Sequence, residues 1–411
     1  MSACLFRMTG LLALALFIPG TLTYAQHYNE TNLVTNSTDS SLVNPWGLAR
    51  SSSSPWWVSD NRTGMSTIYN GLGTKLGLKV KIPAAVSGKT GTPTGVIYNG
   101  STTDFLLPGG KPAAFIFCTL DGLIVGWNFS AGVVTEVKTT NHSSYTGLTS
   151  AVVNGRRYLY AANFNTGHVD VYDNMFHPVH MQPDNQDGMF MGGGQTFMGG
   201  DQGFMHGDQG YNDGRGFMDG GPAFMDDHLP ENYVPFNVQA IGNDIVVTYA
   251  LHEEGSLFET DGPGLGYVDI YSADGRMLQR LQHGDWLNAP WGVALAPLDF
   301  GMFSHDLLVA QFAGGGPTES SGYIAAYDMT TGRFLGLLED ASGNPLAING
   351  VWAITPGNGA TAAGTSTPSN YDPAGAPASE LYFTAGPNHA SGGVLGYLTP
   401  NSTELVQGND Q

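Results

Sequence analysis

Beyond its first 25 residues the chain is built of short runs of apolar, β-branched and aromatic positions, each bounded by Gly, Pro, Asn, Asp or Ser, with no helical hydrophobic period of useful length. Runs of this kind are the signature of β-strands separated by tight turns. They also recur in a fixed order. An apolar segment opened by a Pro or Gly turn appears at 44–49 (NPWGLA), 92–97 (TPTGVI), 145–148 (YTGL), 234–238 (VPFNV), 289–294 (APWGVA) and 348–352 (INGVW). A β-rich run follows each, at 56–58, 114–118, 158–161, 244–249, 306–310 and 380–383. A third run opens on a Gly or small residue and closes near Tyr or Trp, at 66–69, 122–127, 167–172, 266–271, 322–327 and 393–397.

Several units add an outer run after a turn, at 75–82, 133–139, 277–282 and 334–338, with Ser272-Ala273-Asp274-Gly275 and Met329-Thr330-Thr331-Gly332 supplying the turn chemistry. Four short strands per unit and six units predict an all-β, six-bladed β-propeller. The last unit lacks its outer run, while Asn32-Leu33-Val34-Thr35 stands before the first unit without a blade of its own. The N-terminal strand is therefore expected to close the last blade and remove an exposed sheet edge. The competing architecture for such strands is a pair of stacked β-sandwiches.

The runs Asn32-Leu33-Val34-Thr35, Leu42-Val43-Asn44-Pro45-Trp46-Gly47-Leu48, Trp57-Val58-Ser59-Asp60-Asn61, Tyr160-Ala161-Ala162-Asn163-Phe164, Ala289-Pro290-Trp291-Gly292 and Ile348-Asn349-Gly350-Val351-Trp352-Ala353-Ile354 extend nearly end to end. In these the chain resembles a secreted bacterial six-bladed propeller family of undefined function, distantly similar to the NHL-repeat proteins. The resemblance implies fold and export, and it brings no catalytic residues with it.

Composition narrows the partners. Among 411 residues 15 are basic and 35 acidic, a formal net charge of −20, which argues against nucleic acid as a ligand. Residues 1–25 carry Arg7 as their only charge, an apolar run from Leu11 to Ile18, the breaker Pro19-Gly20, and Thr23-Tyr24-Ala25 before Gln26. This reads as a signal peptide cleaved after Ala25, leaving a secreted or periplasmic protein, residues 26–411, with no membrane span. Cys118 is then the sole cysteine, so no intramolecular disulfide is available. A monomer is expected.

From about Asp184 to Asp227 the chain departs from the repeat, with Phe-Met pairs at 190, 197, 204, 217 and 224 set among Gly, Asp and Gln. The many glycines oppose a coiled coil, and a loosely ordered low-complexity insertion is expected. Thioether sulfur suits Cu(I), so Met189, Met191, Met198, Met205 and His206 form a candidate copper site. A contact loop and a neutral expansion are the other readings.

Ser87-Gly88-Lys89-Thr90 lacks the preceding glycine and following helix of a phosphate loop, and no H-E-x-x-H or G-x-S-x-G motif occurs. Chemistry is therefore sought where propeller loops converge on the axis. Asp60, Asn61, Asn163, Asn165, His252, Gln311, Asn388 and His389 are the polar candidates there, with His252 and Glu253 as the candidate acid–base pair. Carboxylate and amide oxygens at that mouth suit Ca²⁺, and His252 with His389 suits a transition metal. Turn chemistry accounts for Asn and Asp equally well. Trp46, Trp291 and Trp352 share one inner-strand position and read either as packing or as a sugar-stacking platform.

Two functions follow. The first is a non-catalytic binding or scaffold propeller that meets a protein, glycan or envelope component through its loop-rich face. The second is a metal-dependent hydrolase or lyase with an axial site, while copper handling by the insertion stands apart from both.

Overall fold

Each apolar run opened by a turn becomes the inner strand of a blade in the computed structural model, which describes residues 26–183, 223–256, 258–313, 321–357 and 379–404. Six four-stranded antiparallel sheets form the ring. From the axis outward, blade one is Pro45–Ala49, Trp56–Asp60, Met65–Tyr69 and Lys75–Lys81. Blade two is Pro93–Tyr98, Phe115–Thr119, Leu123–Asn128 and Gly132–Lys138. Blade three is Tyr145–Val153, Arg156–Asn163, His168–Tyr172 and the two-residue Pro178–Val179. Blade four is Tyr233–Ile241, Asp244–Leu251, Gly266–Tyr271 and Met277–Arg280. Blade five is Pro290–Leu295, Leu307–Gln311, Ile324–Tyr327 and Phe334–Leu337. Blade six is Val351–Pro356, Leu381–Ala385 and Val394–Pro400, with Tyr28–Thr35 as its outer strand.

The sequence alternates least where burial is greatest. Inner and second strands lie between two neighbouring blades and bury both faces, as in the wholly buried Trp56–Asp60 and Phe115–Thr119, whereas the outer Lys75–Lys81 alternates with solvent. Apolar clusters fill the spaces between adjacent blades. Trp57, Ile68 and Phe117 join blades one and two, and Ile354, Phe383 and Leu308 join blades five and six.

Every inner strand carries a register shift against its second strand at the same level, between Pro45 and Leu48, Pro93 and Val96, Tyr145 and Gly147, Pro235 and Asn237, Pro290 and Gly292, and Val351 and Ile354. A bulge bends a strand, and six bends at one height bring the inner strands together at the axis. The approach is close enough to require glycine. A Cβ on Gly47 would stand 2.5 Å from the Thr94 carbonyl oxygen, and one on Gly147 would stand 1.9 Å from Asn237 Oδ1.

Because strands within a blade are antiparallel, the connections from second to third strand and from blade to blade share one face of the ring. The insertion follows Pro178–Val179, the short outer strand of blade three. Its last Phe-Met pair belongs to the fold rather than to a loose loop: Phe224 is buried between Tyr160 and Tyr271, and its N–H donates to the Gly275 carbonyl at 2.9 Å. Met189, Met191, Met198, Met205 and His206 lie outside the described residues, as does the 1–25 segment. Among the described residues no helix is long and apolar enough to cross a membrane.

Candidate functional site

The axial mouth on the loop-rich face is filled with aromatic rings. Trp46 stacks on Trp352 with centroids 3.7 Å apart, Trp291 meets both edge-on at 5.9 and 5.8 Å, and Phe236 closes on Trp352 at 6.0 Å. Phe312 stacks on the Trp352 ring at 4.1 Å. These tryptophans therefore pack against one another across the axis, joining blades one, five and six, and all three are buried. Polar handles fix two of them: Trp352 Nε1 donates to Asn44 Oδ1 at 2.9 Å, and Trp291 Nε1 donates across the axis to the Thr146 carbonyl at 3.1 Å, while Trp46 Nε1 is buried without a partner. At the bulge level a cavity of about 20 Å³, lined by Gly95, Leu148, Asn237 and Gly292, has room for a single water. Among the described residues the aromatic rings fill the axis above this cavity.

The polar candidates surround this plug and are bonded locally. Three occupy one structural position, the end of the second strand, which Thr119 opposite Pro93 takes in blade two: Asp60 opposite Pro45, Asn163 opposite Tyr145, and Gln311 opposite Pro290. All four are buried. Asn163 Oδ1 accepts from the Ser144 N–H at 3.1 Å, while its Nδ2 donates to Ser143 Oγ and Asp170 Oδ2, both at 2.9 Å. Gln311 accepts from the Asn288 N–H and donates to the Val309 carbonyl, each at 3.0 Å. Asn61 links the first two blades, accepting from Asn44 Nδ2 at 3.4 Å and donating to the Pro93 carbonyl at 3.2 Å. Asn165 donates to the His142 carbonyl at 2.8 Å.

His252 lies over the Phe164 ring, centroids 4.5 Å apart, and its Nε2 contacts the Ser256 carbonyl at 2.9 Å. Its neighbour Glu253 is exposed. Asn388 and His389 sit exposed in a left-handed turn, with φ of 56° and 53°. Consecutive residues of this kind in the left-handed region are strained, which sequence reading had no means to detect. Among the described residues no three His, Cys, Asp or Glu side chains are gathered closely enough to hold a metal ion. Cys118 is buried, and burial pushes its thiol up to about 12, which makes it a poor nucleophile.

Asp60 differs from its counterparts because it alone is a carboxylate. Oδ2 accepts from the Thr67 N–H at 3.1 Å and Thr67 Oγ1 at 2.7 Å, while Oδ1 is shielded from solvent without a hydrogen-bond partner. Burial holds its pKa well above the usual carboxylate range, with Thr67 opposing and the nearby Asp39 adding to the rise. Ionised Asp60 is thus disfavoured by folding. Its raised pKa contributes stability that is full below the unfolded value near 4 and is lost as pH rises through the folded value. Asp60→Asn, which copies the amide of Asn163, is expected to raise the melting temperature by about 2–4 °C at pH 8 and to leave it unchanged at pH 4. Calorimetric scans across that range check this, and a loss of stability at pH 8 would contradict it.

No family model matches the chain. Three uncharacterised proteins of Acanthamoeba polyphaga mimivirus are similar to it. One is 27% identical over 333 residues, covering 79% of this chain and 53% of that protein. The others are 26% identical, over 381 residues (90% of this chain, 83% of the relative) and over 338 residues (80% and 72%). The chain thus spans little more than half the length of the first of these relatives. Among solved structures, a streptogramin B lyase aligns with a TM-score of 0.43 and 11% identity over 92% of this chain and 98% of that one. Virginiamycin B lyase from Staphylococcus aureus aligns with a TM-score of 0.40 and 11% identity over 91% and 99%. A gluconolactonase from Xanthomonas campestris aligns with a TM-score of 0.31 and 13% identity over 70% and 82%.

Proposed function

We propose that the chain is an exported binding or scaffold propeller that meets a protein, glycan or envelope component through its loop-rich face, in the manner of the secreted bacterial propellers it resembles. The observation that carries this reading is the aromatic plug. Trp46, Trp291, Trp352 and Phe236 fill the space in which an axial active site would need a cavity. What the mouth offers a partner is a broad polar surface ringed by Asn165, His252, Asn388 and His389 over an aromatic floor. Surfaces of that kind serve recognition through area rather than through an enclosed reacting centre.

The test expresses the chain from residue 1 in the cell that produces it, with a photo-crosslinking amino acid at Asn388 on the loop-rich face or at the exposed Met175 on the opposite face. Export is expected to give a mature N-terminus at Gln26 and discrete adducts from position 388 only. A retained N-terminal segment, or adducts confined to position 175, would overturn the reading.

A further inference from the structure

The Asn-x-Ser/Thr signal for N-linked glycosylation, with x any residue but proline, occurs seven times in the chain, at Asn29, Asn36, Asn61, Asn99, Asn128, Asn141 and Asn401. The motif alone does not choose among them. A glycan is bulky and hydrated, so the fold tolerates it only on an asparagine whose Nδ2 can face water.

In four of the seven the Nδ2 is engaged within the fold. Asn61 donates it to the Pro93 carbonyl at 3.2 Å, Asn99 to the Asp104 and Ala113 carbonyls at 3.1 and 3.0 Å, and Asn128 to the Pro112 carbonyl at 2.9 Å. All three of these residues are buried. Asn401 is half-buried and gives its Nδ2 to Glu404, the carboxylate that also accepts from the His27 N–H.

Asn36 and Asn141 reverse the arrangement. Both are exposed, in the connections that lead from the outer strand of blade six into blade one and from blade two into blade three. Each is anchored by its oxygen: Asn36 Oδ1 accepts from the Gly393 N–H at 3.3 Å, and Asn141 Oδ1 accepts from Ser143 Oγ, the hydroxyl of its own motif, at 2.6 Å. The nitrogen is then the solvent end of the amide. Asn29 is exposed as well, on the outer strand of blade six.

We propose that Asn29, Asn36 and Asn141 carry N-linked glycans, a modification that rests on the export read above. Transfer joins Nδ2 to the anomeric carbon of a polyprenyl-diphosphate-linked oligosaccharide and breaks that carbon's bond to the diphosphate. The polyprenyl diphosphate leaves, and the amide gives up one proton. Asn36 and Asn141 both stand on the loop-rich face, and the next motif in the chain is Asn401. Blades four and five, which carry no motif, are therefore the sector of that face left to a partner.

The test secretes the full chain from residue 1 out of a eukaryotic host, whose pathway supplies the transferase and the lipid-linked donor. Folded product is collected from the medium, its N-terminus is read by mass spectrometry, and its glycans are removed enzymatically in heavy-oxygen water, which converts each glycosylated Asn to labelled Asp. Label is expected on at least two of Asn29, Asn36 and Asn141 and on none of the four whose nitrogen is engaged. Asn36→Gln and Thr38→Ala are each expected to remove the same single glycan, because transfer needs the hydroxyl as well as the amide. Any other distribution in the folded wild-type product, including no label at all, would overturn the proposal. A chain retained in the cell with residues 1–25 attached and without glycan would overturn it together with the export reading, whereas a chain secreted from Gln26 without glycan would overturn it alone.

Discussion

Removal of residues 26–36 is expected to abolish the folded monomer, giving soluble aggregate or a chain without a cooperative melt. Tyr28–Thr35 is the outer strand of a blade whose other three strands come from the opposite end of the sequence, in register from Tyr28 opposite Pro400 to Thr35 opposite Val394. Its loss leaves Val394–Pro400 as an unprotected edge, the arrangement that invites edge-to-edge association. Tyr28 does more than pair: it is buried, its ring lies 4.7 Å from Phe300, and its hydroxyl donates to the Phe300 carbonyl at 2.9 Å, so the same strand also fastens blade five. Full burial of one such side chain contributes about 1.5–3 kcal/mol, and the seven register pairs add to it. Size-exclusion chromatography and near-UV circular dichroism of chain 37–411 against 26–411 check the expectation. A synthetic peptide of residues 26–36 added during refolding is expected to restore the monomer. A cooperative melt in the truncated chain within about 3 °C of the intact one would show that the ring does not depend on this strand, since one lost kilocalorie already shifts a domain of this class by about 2–4 °C.

That closure was legible from the runs alone, because a strand without a blade and a blade without a strand can be matched by counting. The same holds for the six inner strands, whose Pro or Gly turns mark their starts. What counting could not reach was distance. Asp60, Thr119, Asn163 and Gln311 are scattered in sequence, and only the pairing opposite Pro45, Pro93, Tyr145 and Pro290 reveals them as one position used in four blades. Each is satisfied within its own blade or the connection leading into it, save for one oxygen of Asp60, so residue type alone pointed to a shared axial site where the hydrogen bonds describe separate ones. The short outer strand of blade three did leave a trace: its run shrinks to His177-Pro178-Val179 before the insertion, and only Pro178 and Val179 pair with the third strand.

The tryptophans settle by energetics whether the mouth is core or platform. A stacking platform for sugar keeps a ring face exposed, so truncating it costs affinity and little stability. Trp352 instead is 1% exposed, with Trp46 3.7 Å away, Phe312 4.1 Å away, and its indole N–H bonded to Asn44. Trp352→Ala is expected to cost about 3–5 kcal/mol for the buried ring, with about 0.5–1.5 kcal/mol more for each aromatic pair that does not re-form. Asn44 Oδ1 would also lose its donor, and Asn44 is held at φ 49°, so the connection into blade one loosens with it. Trp352→Phe keeps a ring against Trp46 and Phe312 and gives up chiefly the hydrogen bond, about 1 kcal/mol. Urea unfolding followed by far-UV circular dichroism separates the two variants. The order alanine far below phenylalanine, with phenylalanine just below wild type, follows from a plug that ties three blades together across the axis. A cost under about 1 kcal/mol for alanine would mean that the rings are not part of the core, and the mouth would then be open to a ligand after all.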